Sequence, residues 1–282
     1  LPDDCWLDAA PDGHGTGVVF IDAFENYLDG SNAILAMTMG DITRWGGRTV
    51  VIVNHLDVSS LGELDDSTFT AVLKLFDGLK KNCDRERIVM FKGETAELGE
   101  FVGSDNRNAT VKYLWSAVAI GIYKATNIIT GNELEPGMSV MACREHGLGC
   151  NGNSLARKAL KEHYGWDRYF SEPARESIEQ AAVPAILYET FLNHLNGWGR
   201  RDFKPHIKVK AIAHLTGGSF QSKFADYFLF PRGLSADLDN LWDPPKIAKN
   251  IVEWSGTSQR EAHQVFGCGQ RVLAVINNKN QS

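Results

Sequence analysis

Apolar and polar positions alternate along this chain in two registers, one strand-like and one helical. Thr49-Val50-Val51-Ile52-Val53, inside the span 48–58, is a β-branched run and predicts a strand. Phe69, Val72, Leu73 and Phe76 recur at i, i+3, i+4 and i+7, which predicts one apolar helix face, with Asp66 placed to cap its start. Val18-Val19-Phe20-Ile21 follows a Gly-rich turn and reads as a short buried strand. Ser31 is expected to cap a helix running toward Trp45, stopped by Gly46-Gly47. Residues 87–91, 117–122 and 124–129 read as strands. In the second half, Ser139-Val140-Met141-Ala142, 208–213 and 271–276 read as strands. Residues 153–163 read as a helix, 177–195 as a longer helical stretch bent or begun at Pro184, and a further helix starts at Pro245 and ends near Trp254. The turn-rich stretch 130–137 lies between the halves and is taken as the junction. It divides the chain into 1–134 and 135–282. Each part mixes strands with helices, so the expected class is α+β in two domains.

Composition narrows the class further. Of 282 residues, 43% are hydrophobic and 23% charged, the balance of a globular protein, which excludes a disordered, collagen-like or low-complexity chain. Lys plus Arg number 29 against 35 Asp plus Glu, a formal net charge of −6. That deficit argues against a nucleic-acid partner but leaves room for a local anion site built from backbone N–H groups. No apolar run approaches the ~18 residues of a membrane span, so no membrane partner is expected. Leu1-Pro2-Asp3-Asp4-Cys5 has neither the basic start nor the apolar centre of a signal peptide. The five cysteines contain no C-x-x-C pair, so neither a disulfide framework nor a Cys-rich zinc site is expected, and a cytoplasmic location fits best.

Five segments could carry chemistry. Asp12-Gly13-His14-Gly15-Thr16 offers a hard oxygen ligand beside glycines that let a ligand approach the backbone; it also reads as a plain turn. In Met39-Gly40-Asp41 a carboxylate follows the apolar run Ala33-Ile34-Leu35-Ala36-Met37. If buried, it needs a partner or a metal; otherwise it faces solvent or caps a helix. Lys92-Gly93-Glu94-Thr95-Ala96-Glu97 sets two carboxylates three residues apart, which suits Mg²⁺ or an acidic helix start. Cys150-Asn151-Gly152-Asn153-Ser154 opens a helix whose free N–H groups could meet an anion or be capped. Ala213-His214-Leu215-Thr216-Gly217-Gly218-Ser219 places a histidine and paired glycines at a strand end, a natural phosphate nest. The chain lacks the Walker A, Rossmann, zincin and nucleophile-elbow motifs.

In order and spacing, these segments resemble the phosphoribosylformylglycinamidine cyclo-ligase family, also called aminoimidazole ribonucleotide synthetases. Val209-Lys210-Ala211-Ile212-Ala213-His214-Leu215-Thr216-Gly217-Gly218-Ser219 is close to the family's V-K-A-x-A-H-I-T-G-G-G, and Trp242, Glu261 and Phe266-Gly267-Cys268-Gly269 continue it. Gly93-Glu94-Thr95-Ala96-Glu97 matches G-E-T-A-E, Asn151-Gly152-Asn153-Ser154-Leu155 is similar to N-G-Y-S-L, and Asp12-Gly13-His14-Gly15-Thr16 to D-G-V-G-T. Gly40 replaces the Asn before Asp41, and Arg271 replaces the Gly of the closing G-x-G. The resemblance implies an N-terminal domain that pairs with a second copy into a dimeric β-barrel, and an α/β sandwich-like C-terminal domain. It implies a homodimer using ATP and Mg²⁺ on a small-molecule ribonucleotide in purine biosynthesis. Asp12, Asp41 and Glu94 would serve the metal. Asp12, Gly13, Gly15, Thr16, Asp41, Gly93, Glu94 and Thr95 would bind the nucleotide. Asn151, Gly152, Ser154, Thr216, Gly217 and Gly218 would bind substrate, with His214 and Asp41 in the chemistry.

Overall fold

Two sheets organise the chain, which the computed structural model describes over residues 2–166 and 168–278. The first holds β1 (Cys5–Gly13), β2 (Arg48–Val58), β3 (Val89–Glu97) and β4 (Tyr113–Lys124) in the order β1-β4-β2-β3. The β1/β4 and β4/β2 pairs are antiparallel, whereas β2 and β3 run parallel. Helices α1 (Val18–Phe24), α2 (Ser31–Thr43) and α3 (Ser67–Glu86) belong to this part, and α3 is the crossover that parallel β2 and β3 require. The second sheet holds β5 (Ser139–Arg144), β6 (Val209–His214) and β7 (Gln270–Ile276), with β7 central and all pairs antiparallel. Around it lie α4 (Asn153–Tyr164), α5 (Arg175–Ala181), α6 (Glu189–Leu195), a π-helix (Phe220–Leu229), α7 (Lys246–Ser255) and α8 (Gln259–Val265).

Local chemistry explains most of these elements. Asp66 caps α3 as expected, its Oδ1 accepting the Phe69 N–H at 2.7 Å. Ile34, Leu35, Ala36, Met39 and Ile42 leave α2 almost no exposed side, the signature of a helix enclosed by protein. On the second sheet the two faces alternate with period two. Ala211, Ala213, Leu273 and Val275 pack on Phe224 and Phe228, while Ile212, Val272, Ala274 and Ile276 pack on Leu192. Helices α4, α5, α7 and α8 bring Ala156, Leu160, Ile178, Ile251 and Ala262 into the same core as α1–α3 and the first sheet.

Several expected elements differ. Residues 18–21 open α1, not a strand; all four are buried, and a short apolar run cannot separate a buried strand from a buried helix. The α3 inner face is formed by Val72, Leu75 and Leu79, whereas Leu73 is exposed. The span 124–129 leaves the sheet after Lys124 in a 3₁₀ turn. The stretch 177–195 is two short helices, because Pro184 and its neighbours interrupt the ladder. Gly93-Glu94-Thr95 lies within β3 rather than at a helix start. Strand β1 has no clear apolar alternation and was not expected.

The first sheet is open, not a barrel: β1 and β3 are its unpaired edges, and four strands are too few to close. Both edges expose apolar side chains, Trp6 and Leu7 on β1 and Val89 and Phe91 on β3. All five cysteines are free thiols. Among the described residues no helix is long and apolar enough to cross a membrane.

Candidate active site

Asp12, Gly13, Gly15 and Thr16 run from the last residues of β1 into the turn before α1. Thr16 Oγ1 lies 3.1 Å from Ser154 Oγ at the start of α4, 138 residues away. Gly152 precedes α4 at φ 77°, and a Cβ there would stand 2.0 Å from the Phe266 ring, so only glycine fits. Asn151 Nδ2 donates to the Leu215 carbonyl at 3.3 Å, joining this loop to Thr216, Gly217 and Gly218. Ser219 Oγ closes the ring by donating to the Phe266 carbonyl at 3.0 Å. Four of the five segments singled out in the sequence thus meet around the end of β1, the last turn of α2 and the end of β6.

Asp41 stands on α2 at the centre of this ring. His214 Nδ1 is 3.4 Å from Asp41 Oδ1, and Arg44 Nη1 is 3.7 Å from it. Burial pushes Asp41 up, but the His214 hydrogen bond, with Arg44 and Lys223, outweighs it and holds the carboxyl below its ordinary value. His214 is fully enclosed; burial, then the charge of Arg271, pushes it down to about 4, so the ring is neutral at physiological pH. An ionised carboxylate only accepts, so His214 Nδ1 carries the proton and Nε2 keeps its lone pair. Among the described residues that Nε2 has no hydrogen-bond partner. The ring packs against Gly40, where a Cβ would come within 2.3 Å of it. Asp12 is half-buried; burial raises its carboxyl, as does the charge of Asp41, whereas Lys223 lowers it.

Glu94 does not join this pair. Asp12 pairs with Ala117, Ala117 with Asn54 and Asn54 with Gly93, so Glu94 sits three strands from Asp12, about 14 Å at the usual strand spacing. Among the described residues no three His, Cys, Asp or Glu side chains are grouped to hold a metal ion. The expected Mg²⁺ set of Asp12, Asp41 and Glu94 therefore does not assemble around one ion within a single chain. Asp12, Gly93 and Glu94 do line one open groove of about 570 Å³ across the sheet, with Asn54, Lys92 and Ser116. Thr95 lies beside it on β3 and does not line it.

Three charged residues around the site were not foreseen. Arg44 and Lys223 lie in segments without a motif. Arg271 is conspicuous in sequence as the one charge in an apolar strand, but its partners, Glu189 and Glu145, are far along the chain. Its Nη2 donates to the Ala36 carbonyl of α2 at 2.7 Å and lies 3.8 Å from Glu189 Oε1.

No family model matches the chain. A phosphoribosylformylglycinamidine cyclo-ligase from Staphylococcus epidermidis is 27% identical over 276 residues, covering 97% of this chain and 74% of that protein. Among solved structures, thiamine-monophosphate kinase from Stenotrophomonas maltophilia matches 100% of this chain and 78% of its own, with a TM-score of 0.57 and 14% identity. The hydrogenase maturation protein HypE, solved in complex with ATP, matches 98% of this chain and 70% of its own, with a TM-score of 0.55 and 12% identity. The chain thus shares the fold of these two proteins, and in sequence it is a distant relative of proteins named phosphoribosylformylglycinamidine cyclo-ligase.

Proposed function

We propose that this chain is an ATP-dependent cyclo-ligase that closes the imidazole ring of formylglycinamidine ribonucleotide, giving aminoimidazole ribonucleotide. ATP phosphorylates the substrate amide oxygen, a nitrogen of the same molecule attacks that carbon, and ADP and phosphate leave. The observation that carries the reading is the ring of loops around Asp41 and His214, whose sequences follow the cyclo-ligase motifs and whose ends meet only in the folded chain.

The residues divide the work. At Gly15 and Gly217 a side chain's Cβ would meet no atom within 4 Å, so the backbone is open and phosphate oxygens could reach the N–H groups on either side. Asn151 and Ser154 would orient the substrate against that edge. His214 fixes the Asp41 carboxylate by donating from Nδ1. The donor set fits Mg²⁺: Asp12 and Asp41 are hard oxygen ligands that repel one another, and a divalent cation relieves that repulsion. When bound, Mg²⁺ supplies charge neutralisation for the polyphosphate. Glu94 and Gly93 would serve the far end of the groove, with Thr95 next to them on β3. The unpaired apolar edges β1 and β3 suit pairing with a second copy, which would complete a barrel and bring a second groove beside the first.

Purified protein should release ADP in proportion to formylglycinamidine ribonucleotide, and ADP release that ignores this substrate would sink the proposal. Asp41→Asn should weaken Mg-ATP binding at least about tenfold while the protein melts as wild type; unchanged affinity by calorimetry would remove Asp41 from the site. Light scattering should give twice the 31.2 kDa of one chain, and a monomer at micromolar concentration would contradict the paired sheet. The match to thiamine-monophosphate kinase favours one second reading, phosphoryl transfer to a different small acceptor. It predicts ADP release with thiamine monophosphate and none with formylglycinamidine ribonucleotide.

A further inference from the structure

Arg44 follows the last residue of α2, one turn beyond Asp41, and its side chain is 12% exposed. The guanidinium carbon lies 4.7 Å from the Trp45 ring centroid and 5.2 Å from that of Tyr227 on the π-helix. The two rings meet edge-on at 5.4 Å, and the fully buried Phe228 ring stands 5.0 Å from Tyr227. The backbone beneath is pinned as well. The Arg44 N–H donates to the Gly40 carbonyl at 2.9 Å, the Ile129 N–H to the Trp45 carbonyl at 3.0 Å, and the Trp198 indole to the Gly46 carbonyl at 2.8 Å. Two aromatic rings and a tethered helix end therefore fix where this charge sits. Packing alone does not call for a charge there: among the described residues the buried Nε has no hydrogen-bond partner, a cost that an apolar side chain avoids. The charge faces one atom. Arg44 Nη1 stands 3.7 Å from Asp41 Oδ1, the same oxygen that His214 Nδ1 approaches at 3.4 Å. Among the described residues no hydrogen bond reaches Asp41 Oδ2, and the Asp41 side chain is 39% exposed. The carboxylate is thus divided, with one oxygen held by two protein groups and the other open.

We propose that Arg44 is a positioning residue that commits Asp41 Oδ1 to the protein, leaves Oδ2 as the one atom Asp41 offers a divalent cation, and by its charge keeps the affinity for the free ion low. This rests on the nucleotide reading above and adds to it a control on how the metal enters. A carboxylate with both oxygens free can take a hard cation alone. One oxygen beside a fixed positive charge holds the ion firmly only when polyphosphate oxygens bring further negative charge. Arginine suits the task, because its charge is permanent and its planar group stacks on aromatic faces.

The test is calorimetric titration of Mg²⁺ alone, without nucleotide, into wild type, Arg44→Met, Arg44→Gln, Arg44→Lys, and Arg44→Met combined with Asp41→Asn. Both neutral variants should bind Mg²⁺ about tenfold tighter than wild type, because a unit charge beside a divalent cation is worth about that factor even under water-like screening. Arg44→Lys keeps the charge and should stay within about threefold of wild type. With Asp41→Asn also present, the gain should shrink below about twofold. A role confined to supporting the fold predicts unchanged or weaker Mg²⁺ binding in the neutral variants. That result in whichever neutral variant melts as wild type, or the same gain without Asp41, overturns the proposal and leaves the ring-closure reading standing. The expected gain without substrate-dependent ADP release supports Arg44 and removes that reading. Mg²⁺ binding by neither wild type nor the neutral variants overturns the proposal together with the metal role of Asp12 and Asp41.

Discussion

Replacing Gly40 by alanine is expected to lower kcat/KM for ADP formation about 100-fold while the protein still folds. The added Cβ would lie 2.3 Å from His214 Cε1 and 2.5 Å from Nε2, far inside contact distance. His214 is enclosed on its other sides, so relief comes from pushing the ring or α2 by about an ångström. A displacement of that size in a positioning group is enough for a loss of ~100-fold. The same movement lengthens the 3.4 Å bond between His214 and Asp41, which frees the carboxylate and releases its pKa from the hold that His214 exerts. Stability should fall by no more than ~1–3 kcal/mol from overpacking, partly offset by the ~1 kcal/mol that alanine gains over glycine in a helix. Wild-type rates in Gly40→Ala would show that His214 does not need its place on α2.

The second large effect concerns stability. Arg271→Ala should destabilise the fold by about 3–5 kcal/mol, the usual cost of stranding buried charge. Arg271 and Glu189 are 2% and 1% exposed, and Glu145 is also buried. Nη2 of Arg271 is satisfied by Ala36, but among the described residues Nε and Nη1, the Glu189 oxygens and Oε2 of Glu145 find no side-chain hydrogen-bond partner. Removing the guanidinium therefore leaves two carboxyl groups without their counter-charge. The double variant Arg271→Met, Glu189→Gln should recover much of the loss, because apolar packing often replaces a buried pair without penalty. A single variant as stable as wild type in urea would show that the pair contributes nothing.

Glu189 also gives a pH dependence of known sign. Burial, opposed by Arg271, pushes its carboxyl up to about 7 from the ordinary 4.5. Between these values the folded state binds more protons than the unfolded state, so stability falls as pH rises from 4.5 to 7 and levels off above. The contribution amounts to about 3 kcal/mol across that window. Glu189→Gln should flatten it, which urea melts at pH 5 and pH 8 would read directly. An identical slope in the variant would place the carboxyl's titration elsewhere.

Much of this architecture is readable from residue order alone. The β-branched run at 49–53, the apolar strand at 208–213 and the Asp66 cap each express a preference that acts within a few residues, so local sequence is sufficient. The same holds for the bends of the loop segments, whose glycines, asparagine and hydroxyls set turn geometry and backbone exposure locally. Four of those segments do converge.

Beyond these elements, the missing information is non-local. Residues 18–21 have one apolar pattern compatible with two elements, and only the enclosure of all four selects the helix. Asp41 announces that it needs a partner without naming His214, which lies 173 residues away. The spacing of Glu94 from Asp12 depends on the strand order β1-β4-β2-β3, so no linear motif could show that these acids stand three strands apart. Residue order settles which groups are available and which short segments bend or extend. Only the folded chain selects which groups meet, because charge and hydrogen-bond partners are chosen by distance in space, and that distance is set by the packing of both sheets around α2.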